Sequence, residues 1–275
     1  MKLRSLAILV LASAALFITA VRSSAQDKVA AIPFHHFSFN VPDFDANVTF
    51  WKNLGAIQQP GQANPDMRFT IFHLPGSDVT VSILEDKAAS GGSVGSVIDH
   101  IGFQVPDVPA AVAKWKAAGI KTEAGRNDQQ AYIYTPDDVK IEILQDATLT
   151  VSIKAHHVHF FTAAPLETQA WYAKMFGGTA GKRGPFDNVT VPNVNLTFSK
   201  AEGAVAPTRG RALSHIGFEV NDIVQARKDF EAKGVTFDPA LQMAGGRGPN
   251  RTAFFLDPWG TEIELIQLAP PQAGR

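Results

Sequence analysis

The chain has 275 residues, with 25 lysines and arginines against 26 aspartates and glutamates, and it contains no cysteine. A formal net charge of −1 gives no reason to expect a nucleic acid partner. The absence of cysteine excludes disulfide bonds, a thiol nucleophile and a lipid anchor attached through cysteine. The length is sufficient for one large or two medium-sized domains.

The segment 1–25 is typical of an export signal. Lys2 and Arg4 supply its positive start, residues 6–21 form an apolar run, and residues 23–25 (SSA) offer a cleavage site. The apolar run is shorter than the roughly 20 residues that a membrane-spanning helix needs. We therefore expect cleavage before Gln26, a periplasmic or secreted protein, and no stable membrane insertion after cleavage. Retention of the segment as a membrane anchor is the alternative.

One pattern occurs four times: a histidine, a phenylalanine three positions later, and a glycine at a nearly constant distance further along the chain. The four histidines are His36, His100, His157 and His215. The four glycines are Gly55, Gly119, Gly177 and Gly234. The histidines follow one another at similar, module-sized intervals, which indicates four copies of one module.

Each module is predicted to begin with a strand, because apolar and polar residues alternate around the histidine. The phenylalanine lies at an odd spacing from the histidine and should face the opposite side of the sheet, under a helix. Asp43, Asp107 and Asp222 are the predicted N-caps of that helix, and Ala164 is the exception. The glycine should end the helix, and about three strands should follow. The sequence thus predicts an α+β fold of four tandem βαβββ modules.

We expect the four modules to pair into two domains. Residues 88–96 and 203–210 are rich in glycine, serine or proline, which favours flexible crossings within each pair. The connection at residues 147–154 is short and lacks glycine, and it is the predicted domain boundary. Modules one and two would form a domain at residues 32–147, and modules three and four would form a domain at residues 152–268.

Two glutamates complete the predicted sites. Glu142 and Glu264 interrupt the apolar pattern of the last strand in modules two and four, where modules one and three have Ser82 and Thr197. Under the pairing above, the sets are His36, His100 and Glu142, and His157, His215 and Glu264. Two neutral imidazoles and one carboxylate suit Fe(II), Mn(II) or Zn(II), and they leave coordination positions open for a chelating substrate.

These motifs resemble those of the vicinal oxygen chelate superfamily, which includes glyoxalase I, fosfomycin-resistance and bleomycin-resistance proteins, methylmalonyl-CoA epimerase and the type I extradiol dioxygenases. The resemblance rests on the four His-x-x-Phe strands and on residues 50–55 (FWKNLG), 171–177 (WYAKMFG) and 257–264 (DPWGTEIE). It covers essentially the whole mature chain and implies two domains of the glyoxalase and extradiol dioxygenase type. With four modules in one chain, this protein is most similar to the extradiol dioxygenases within that superfamily, and the residues that match their iron ligands are His157, His215 and Glu264.

The resemblance also indicates where catalytic residues would lie. Extradiol enzymes use a tyrosine that precedes the glutamate ligand. Ten positions before Glu264 stands Phe254, which puts ring cleavage in the C-terminal pair in doubt, whereas ten positions before Glu142 stands Tyr132. Tyr132 is therefore a candidate catalytic residue, with ring packing in a strand as the alternative.

His159 is the second candidate catalytic residue. It lies two positions after His157, so it shares that face of the strand and could act as an acid or base in the pocket. The alternative is a strand residue that only touches solvent. Arg247 and Arg251, before the final hairpin, are predicted to be solvated loop residues, and contact with an anionic substrate is their alternative role.

Two functions fit these residues. The first is an exported, divalent-metal-dependent enzyme that acts on a small oxygen-bearing substrate by dioxygenase-like, glyoxalase-like or lyase-like chemistry. The second is a non-catalytic protein that binds small molecules, as the bleomycin-resistance members do. A small-molecule partner is expected in both.

Overall fold

The computed structural model describes residues 30–60, 67–239 and 250–270. The predicted export signal at residues 1–25 lies outside the described residues. Within those three ranges, no helix combines the length and the apolar character needed to cross a membrane.

The predicted order of elements is confirmed in the first three modules. Module one contains β1 (Phe34–Val41), α1 (Phe44–Leu54), β2 (Ile57–Gln58), β3 (Phe69–His73) and β4 (Thr80–Glu85). Module two contains β5 (Ile98–Val105), α2 (Val108–Ala117), β6 (Thr122–Ala124), β7 (Gln130–Tyr134) and β8 (Lys140–Gln145). Module three contains β9 (Lys154–Thr162), α3 (Pro165–Phe176), β10 (Thr179–Arg183), β11 (Phe186–Val191) and β12 (Val194–Lys200). The described part of module four contains β13 (Leu213–Glu219), α4 (Ile223–Ala232), β14 (Arg251–Leu256) and β15 (Glu262–Gln267).

The helices begin where the aspartates of the repeat stand. Asp43, Asp107 and Asp222 each accept a hydrogen bond from a backbone N–H of the first helical turn, as predicted. Ala164 has no side-chain acceptor, and α3 begins instead with a proline at its first position. The helix of module three therefore begins at the equivalent position without a side-chain N-cap.

The glycines of the repeat stand at or next to the helix ends. Gly55 and Gly177 are the C-caps of α1 and α3, in the left-handed conformation. In modules two and four the helix ends one position earlier than predicted, and Gly119 and Gly234 follow the cap with φ of 80° and 96°. All four positions need a positive φ, which glycine adopts without steric cost.

Two sheets contain the strands, and they show that the predicted pairing of modules is wrong. One sheet has the order β14-β15-β13-β1-β4-β3-β2 and joins modules one and four. The other has the order β10-β11-β12-β9-β5-β8-β7-β6 and joins modules two and three. The central contact of each sheet is an antiparallel pair of first strands, β1 with β13 and β5 with β9. The sequence boundaries of the two predicted domains stay a prediction.

The short connection at the predicted domain boundary explains the difference. Residues 146–153 lead from β8 to β9, and these strands lie in the same sheet with only β5 between them. A connection of this length spans two strand spacings of about 4.8 Å each. Four first strands with the same residue pattern offer several equivalent pairings, and connection length alone did not identify the correct one.

Consecutive modules do contact each other, through their helical faces. In modules one and two, the Trp51 ring lies 5.9 Å from the Phe103 ring, centroid to centroid. In modules three and four, Phe176 stacks on Phe218 at 3.8 Å, and the Tyr172 hydroxyl donates to Asp257 at 2.7 Å. Each module thus packs on one neighbour through its helix and shares a sheet with another.

The two glycine-rich connections cross between the sheets and bind each other. Ser90 N donates to Gly210 O, Ala212 N donates to Gly91 O, and Val97 N donates to Ala206 O. Each connection thus uses the other as its backbone partner. The predicted flexible crossings are therefore hydrogen-bonded segments that hold the two sheets together.

Candidate metal centres

The first candidate metal centre, site A, consists of His36, His215 and Glu264. Glu264 Oε2 lies 3.1 Å from His36 Nε2 and 3.0 Å from His215 Nε2. His36 and His215 come from the paired strands β1 and β13, and Glu264 lies on β15 beside β13. Because the three side chains are largely buried, one carboxylate oxygen faces two imidazole nitrogens away from bulk water.

The second candidate metal centre, site B, consists of His100, His157, Glu142 and His159. Glu142 Oε2 lies 3.0 Å from His157 Nε2 and 3.4 Å from His100 Nε2. His159 Nδ1 lies 3.1 Å from His100 Nε2, and all four residues are buried. In site A the strand position of His159 is occupied by Ser38. Site B therefore gathers three imidazoles and a carboxylate, one imidazole more than site A.

The residue before each of four ligand histidines makes a hydrogen bond with that histidine's Nδ1. The pairs are His35 with His36 at 2.8 Å, Asp99 with His100 at 2.7 Å, His156 with His157 at 2.8 Å, and Ser214 with His215 at 2.9 Å. All four preceding residues are skipped in the register of their strand pair, as at a β-bulge. The bulge brings a neighbour's side chain to the ring, and the bond at Nδ1 leaves Nε2 to face the cluster.

These neighbouring groups fix the form of the imidazole rings. Burial lowers the pKa of His35 to about 3 and that of His156 to about 4, so both are neutral near pH 7. Asp99, a carboxylate, can only accept, so His100 Nδ1 carries the hydrogen of that bond. The arrangement is the one that metal-binding histidines have in proteins, with one nitrogen oriented and the other available.

Glycines on the opposite strand make room for two of the ligand rings. A Cβ atom on Gly217 would lie 2.0 Å from Cε1 of His36, and one on Gly102 would lie 2.0 Å from Cε1 of His157. Neither glycine has a positive φ, so the reason for glycine here is space and not backbone conformation. The glycine of the His-Ile-Gly-Phe sequence in modules two and four thus leaves room for the histidine ring of the module on the neighbouring strand.

The electrostatics of both clusters fit a cation. Burial acts to raise the pKa of Glu142 and of Glu264, but the adjacent imidazoles outweigh it, so both carboxyls have lowered pKa values and are ionised. Burial lowers the pKa of His157 to about 3, and its Nε2 has no well-aligned hydrogen-bond partner among the described residues, although Glu142 lies near. Metal–donor bonds of about 2.0–2.2 Å place neighbouring donor atoms about 3 Å apart, which matches the separations above. The residues could therefore hold a divalent ion.

Site B opens into a cavity of about 710 Å³. His100, Glu142 and His159 form part of its lining, together with Tyr132 and Gln130. Gln130 Nε2 donates to Glu142 Oε1 and to the Tyr132 hydroxyl, the latter at 3.2 Å. The second carboxylate oxygen of Glu142 is thus engaged, which directs Oε2 to the histidines.

Comparison with known proteins agrees with this geometry. The family model described as "Glyoxalase/Bleomycin resistance protein/Dioxygenase superfamily" matches residues 34–143 and 154–265. This chain belongs to that superfamily. No curated protein matches the chain at the level of sequence.

Two solved structures with a similar fold illustrate the likeness. Glyoxalase I from Zea mays has a TM-score of 0.67 and 17% identity, over 86% of this chain and 92% of that chain. A proposed dioxygenase from Bacillus subtilis has a TM-score of 0.65 and 15% identity, over 88% of this chain and 86% of that chain. At these identities the likeness establishes the fold. The predicted resemblance and the predicted α+β fold with two glyoxalase-like domains are confirmed.

The structure gathers all six predicted metal ligands into clusters, but it exchanges two of them between the sets. His100 and Glu142 lie together as predicted, and so do His215 and Glu264. His36 joins the second of these pairs and His157 joins the first, because β1 pairs with β13 and β9 pairs with β5. The predicted sets were therefore wrong in His36 and His157. Their role as metal ligands stays a prediction.

Tyr132 and His159, the predicted catalytic residues, both line the cavity of site B. Tyr132 lies directly opposite Glu142 in the β7–β8 pair, which explains their offset of ten positions. Phe254 has the same relation to Glu264, and its ring contacts His215. Arg251 is exposed, but it begins strand β14 where a loop was predicted, and Arg247 lies outside the described residues. Site A thus has an apolar ring where site B has a phenol.

Sequence reasoning missed the residues that bind Nδ1. On a regular strand neighbouring residues alternate between the two faces, which would place His35 and His156 away from the ligands. The bulges break that alternation. The available signal was the fourfold occurrence of a polar residue directly before the histidine, as in Asp99 and Ser214.

Gly217→Ala should weaken metal binding at site A by at least about tenfold, as loss of groups that position metal ligands does, because the added methyl group occupies the place of the His36 ring. The measurement is a competition titration of Zn(II) against a chelating indicator. Gly181→Ala is the control, since a Cβ there meets nothing within 4 Å. Two sites of unchanged affinity in Gly217→Ala would contradict the role of this glycine.

Proposed function

We propose that the protein is a divalent-metal-dependent enzyme that acts on a small substrate through neighbouring oxygen atoms, and that site B is its principal catalytic centre. The observation that carries this proposal is the convergence of His100, Glu142 and His159 at the wall of a cavity of about 710 Å³, with the fully buried His157 beside Glu142. A cavity of this volume suits a small-molecule ligand. Fe(II), Mn(II) and Zn(II) are the ions that this donor set favours.

The ion supplies Lewis acidity, which stabilises negative charge on substrate oxygens. The chain holds the donor atoms in position, since Asp99 and His156 orient two of the imidazoles and Gln130 orients the carboxylate. Burial and the charge of Glu142 raise the pKa of Tyr132, so its hydroxyl keeps its proton at neutral pH. We assign Tyr132 the role of hydrogen-bond donor and general acid toward the substrate.

We propose His159 as a fourth donor to the metal. Burial, followed by the influence of His100, lowers its pKa to about 2, so the ring is neutral. Its Nε2 lies 2.8 Å from Ser199 Oγ, which leaves Nδ1 directed at the cluster. One nitrogen each from His100, His157 and His159 lies within 4.8 Å of the other two. Site A has a serine in this position, so the two sites would differ in affinity.

Metal content tests the number of sites. The purified chain should hold up to two equivalents of Fe, Mn or Zn, and His157→Ala or His215→Ala should each reduce this to one, because the two clusters share no residue. Elemental analysis gives the stoichiometry, and assays against catechols and 2-oxoaldehydes then test dioxygenase-like and glyoxalase-like turnover. A protein that stays empty with all three metals would instead be a non-catalytic small-molecule-binding protein.

His159→Gln should lower the affinity of site B for Zn(II) to that of site A, a loss of about tenfold or more. The measurement is a two-site competition titration of the variant and the parent. Ser38→Ala is the matched control at the same strand position of site A, and it should leave both affinities within about twofold. Retention of the tighter site in His159→Gln would restrict His159 to a role in acid–base chemistry.

We also propose that the protein is exported, on the basis of the charged start, apolar run and small residues at positions 1–25. Expression of the full chain in a bacterium with an intact export pathway should give a periplasmic or secreted product that begins at Gln26. N-terminal sequencing and cell fractionation make the measurement. A product that keeps Met1 and pellets with membranes would favour the retained anchor, and one that keeps Met1 in the cytoplasm would exclude export.

A further inference from the structure

The cavity of site B is positively charged although the chain as a whole is not. Its charged lining consists of Arg126, Lys140, Arg183, Asp99 and Glu142. Three cations and two anions give a net charge of +1, whereas the chain has a net charge of −1. Both carboxylates are already engaged with histidines. A divalent ion would add to this positive charge, so a neutral ligand would leave it without compensation.

Arg183 is a cation of this lining that is held beside the strand of His159. It is the last residue of β10, and its Nε donates to Thr197 Oγ1 at 2.9 Å. Thr197 lies beside His159 in the β9–β12 pair, so the bond holds the guanidinium next to site B. No carboxylate among the described residues lies within ion-pair distance of Arg183. Its two terminal nitrogens are thus available as the fork that binds carboxylates.

Burial makes this absence of an anionic partner costly. Arg183 is half-buried, and burial lowers its pKa, although the charge of Glu142 acts in the opposite direction. The guanidinium nevertheless stays cationic, because its pKa lies far above neutral pH. A half-buried cation with one neutral hydrogen-bond partner loses part of its hydration without gaining an opposite charge. An anion that enters the cavity would offset this cost.

The apolar part of the cavity wall faces the same space. Phe161 and Phe186 both lie beside His159, with ring centroids 5.1 and 4.9 Å from its ring, and Leu144 and Pro185 add further apolar surface. Flat aromatic side chains accept planar, unsaturated groups. The cavity thus presents metal donors, an arginine fork and an aromatic wall together.

We infer that the ligand of site B is a small organic anion, an aromatic or otherwise unsaturated carboxylate, whose carboxylate pairs with Arg183 while its neighbouring oxygens face the His and Glu donors. This inference deepens the proposed function and rests on it for the chelating oxygens. Arg183 would then be a specificity-determining residue that selects acids over their neutral analogues.

The test compares 3,4-dihydroxybenzoate with 3,4-dihydroxybenzamide, which share the ring and its two neighbouring hydroxyl groups but differ in charge, since one carries a carboxylate and the other a neutral amide. Isothermal titration of each into the Zn(II)-loaded His215→Ala variant reports on site B, because that variant lacks an intact site A. The acid should bind at least about tenfold more tightly, because an ion pair with a half-buried arginine contributes more binding free energy than a contact with a neutral amide. Arg183→Gln should remove this preference and leave the affinity for the amide unchanged.

Two further variants separate charge selection from a general loss of structure. Arg183→Lys keeps the positive charge and should retain part of the preference for the acid. Lys182→Gln removes a charge from the adjacent residue, which pairs with Asp187 at 2.7 Å, and should leave the preference intact. Equal binding of acid and amide by the parent, failure of both to bind, or an unchanged preference in Arg183→Gln would overturn the inference.

The same titration without metal distinguishes the inference from the proposed function. A preference for the acid that depends on Arg183 and survives in the metal-free protein supports the arginine site even where metal binding fails. Elemental analysis of the parent records separately whether site B is loaded. A loaded protein without any preference overturns the inference alone and leaves the metal centre standing.

Discussion

The antiparallel pairing of first strands from two different modules is the interaction on which the rest of this protein depends. β1 pairs with β13 and β5 pairs with β9, and each pair sets a histidine opposite a glycine. The glycine lets the imidazole lie across the neighbouring strand, where a methyl group would collide with it. Both candidate metal centres and the division into two sheets follow from these two contacts.

The bulges in these strand pairs solve a problem that buried imidazoles create. A buried polar atom without a partner is costly, and a metal ligand must present one nitrogen while the other is satisfied. At each of the four histidines, the unpaired residue of the bulge supplies that partner. Three chemical types fill the position, namely imidazole, carboxylate and hydroxyl. What the four modules share is therefore the geometry of the bond and not the identity of the residue.

Much of the fold could be predicted from the sequence, because the repeat carries local information four times. The aspartate caps, the helix-ending glycines and the offset between Tyr132 and Glu142 depend on residues close together in the chain. The partner of each first strand depends on contacts between distant modules, and all four strands carry the same pattern. The proximity of His100 and Glu142 could be predicted because one module contains both, whereas the neighbours of His36 and His157 lie in other modules.

The residues around the metal donors were harder to predict for a related reason. Alternation places His35 and His156 on the face away from the ligands, and a bulge is invisible to a rule that assumes a regular strand. No sequence pattern pointed to Arg183 either. It is the last residue of β10, and it lies near site B only because β10, β11, β12 and β9 are neighbours in the sheet. The role inferred for Arg183 rests on its surroundings, namely the neutral Thr197, Glu142 already paired with histidines, and an open cavity.

The strand order also means that different lengths of chain must close to complete the two metal centres. The β5–β9 contact joins His100 and His157 of adjacent modules, whereas the β1–β13 contact joins His36 and His215 of the first and last modules. The second contact closes a loop about three times as long, which costs about 1 kcal/mol more in closure entropy. All four donors of site B lie between His100 and His159 in the chain, so site B can assemble from the middle of the polypeptide. Site A needs both ends, and it closes only when the first and last modules meet.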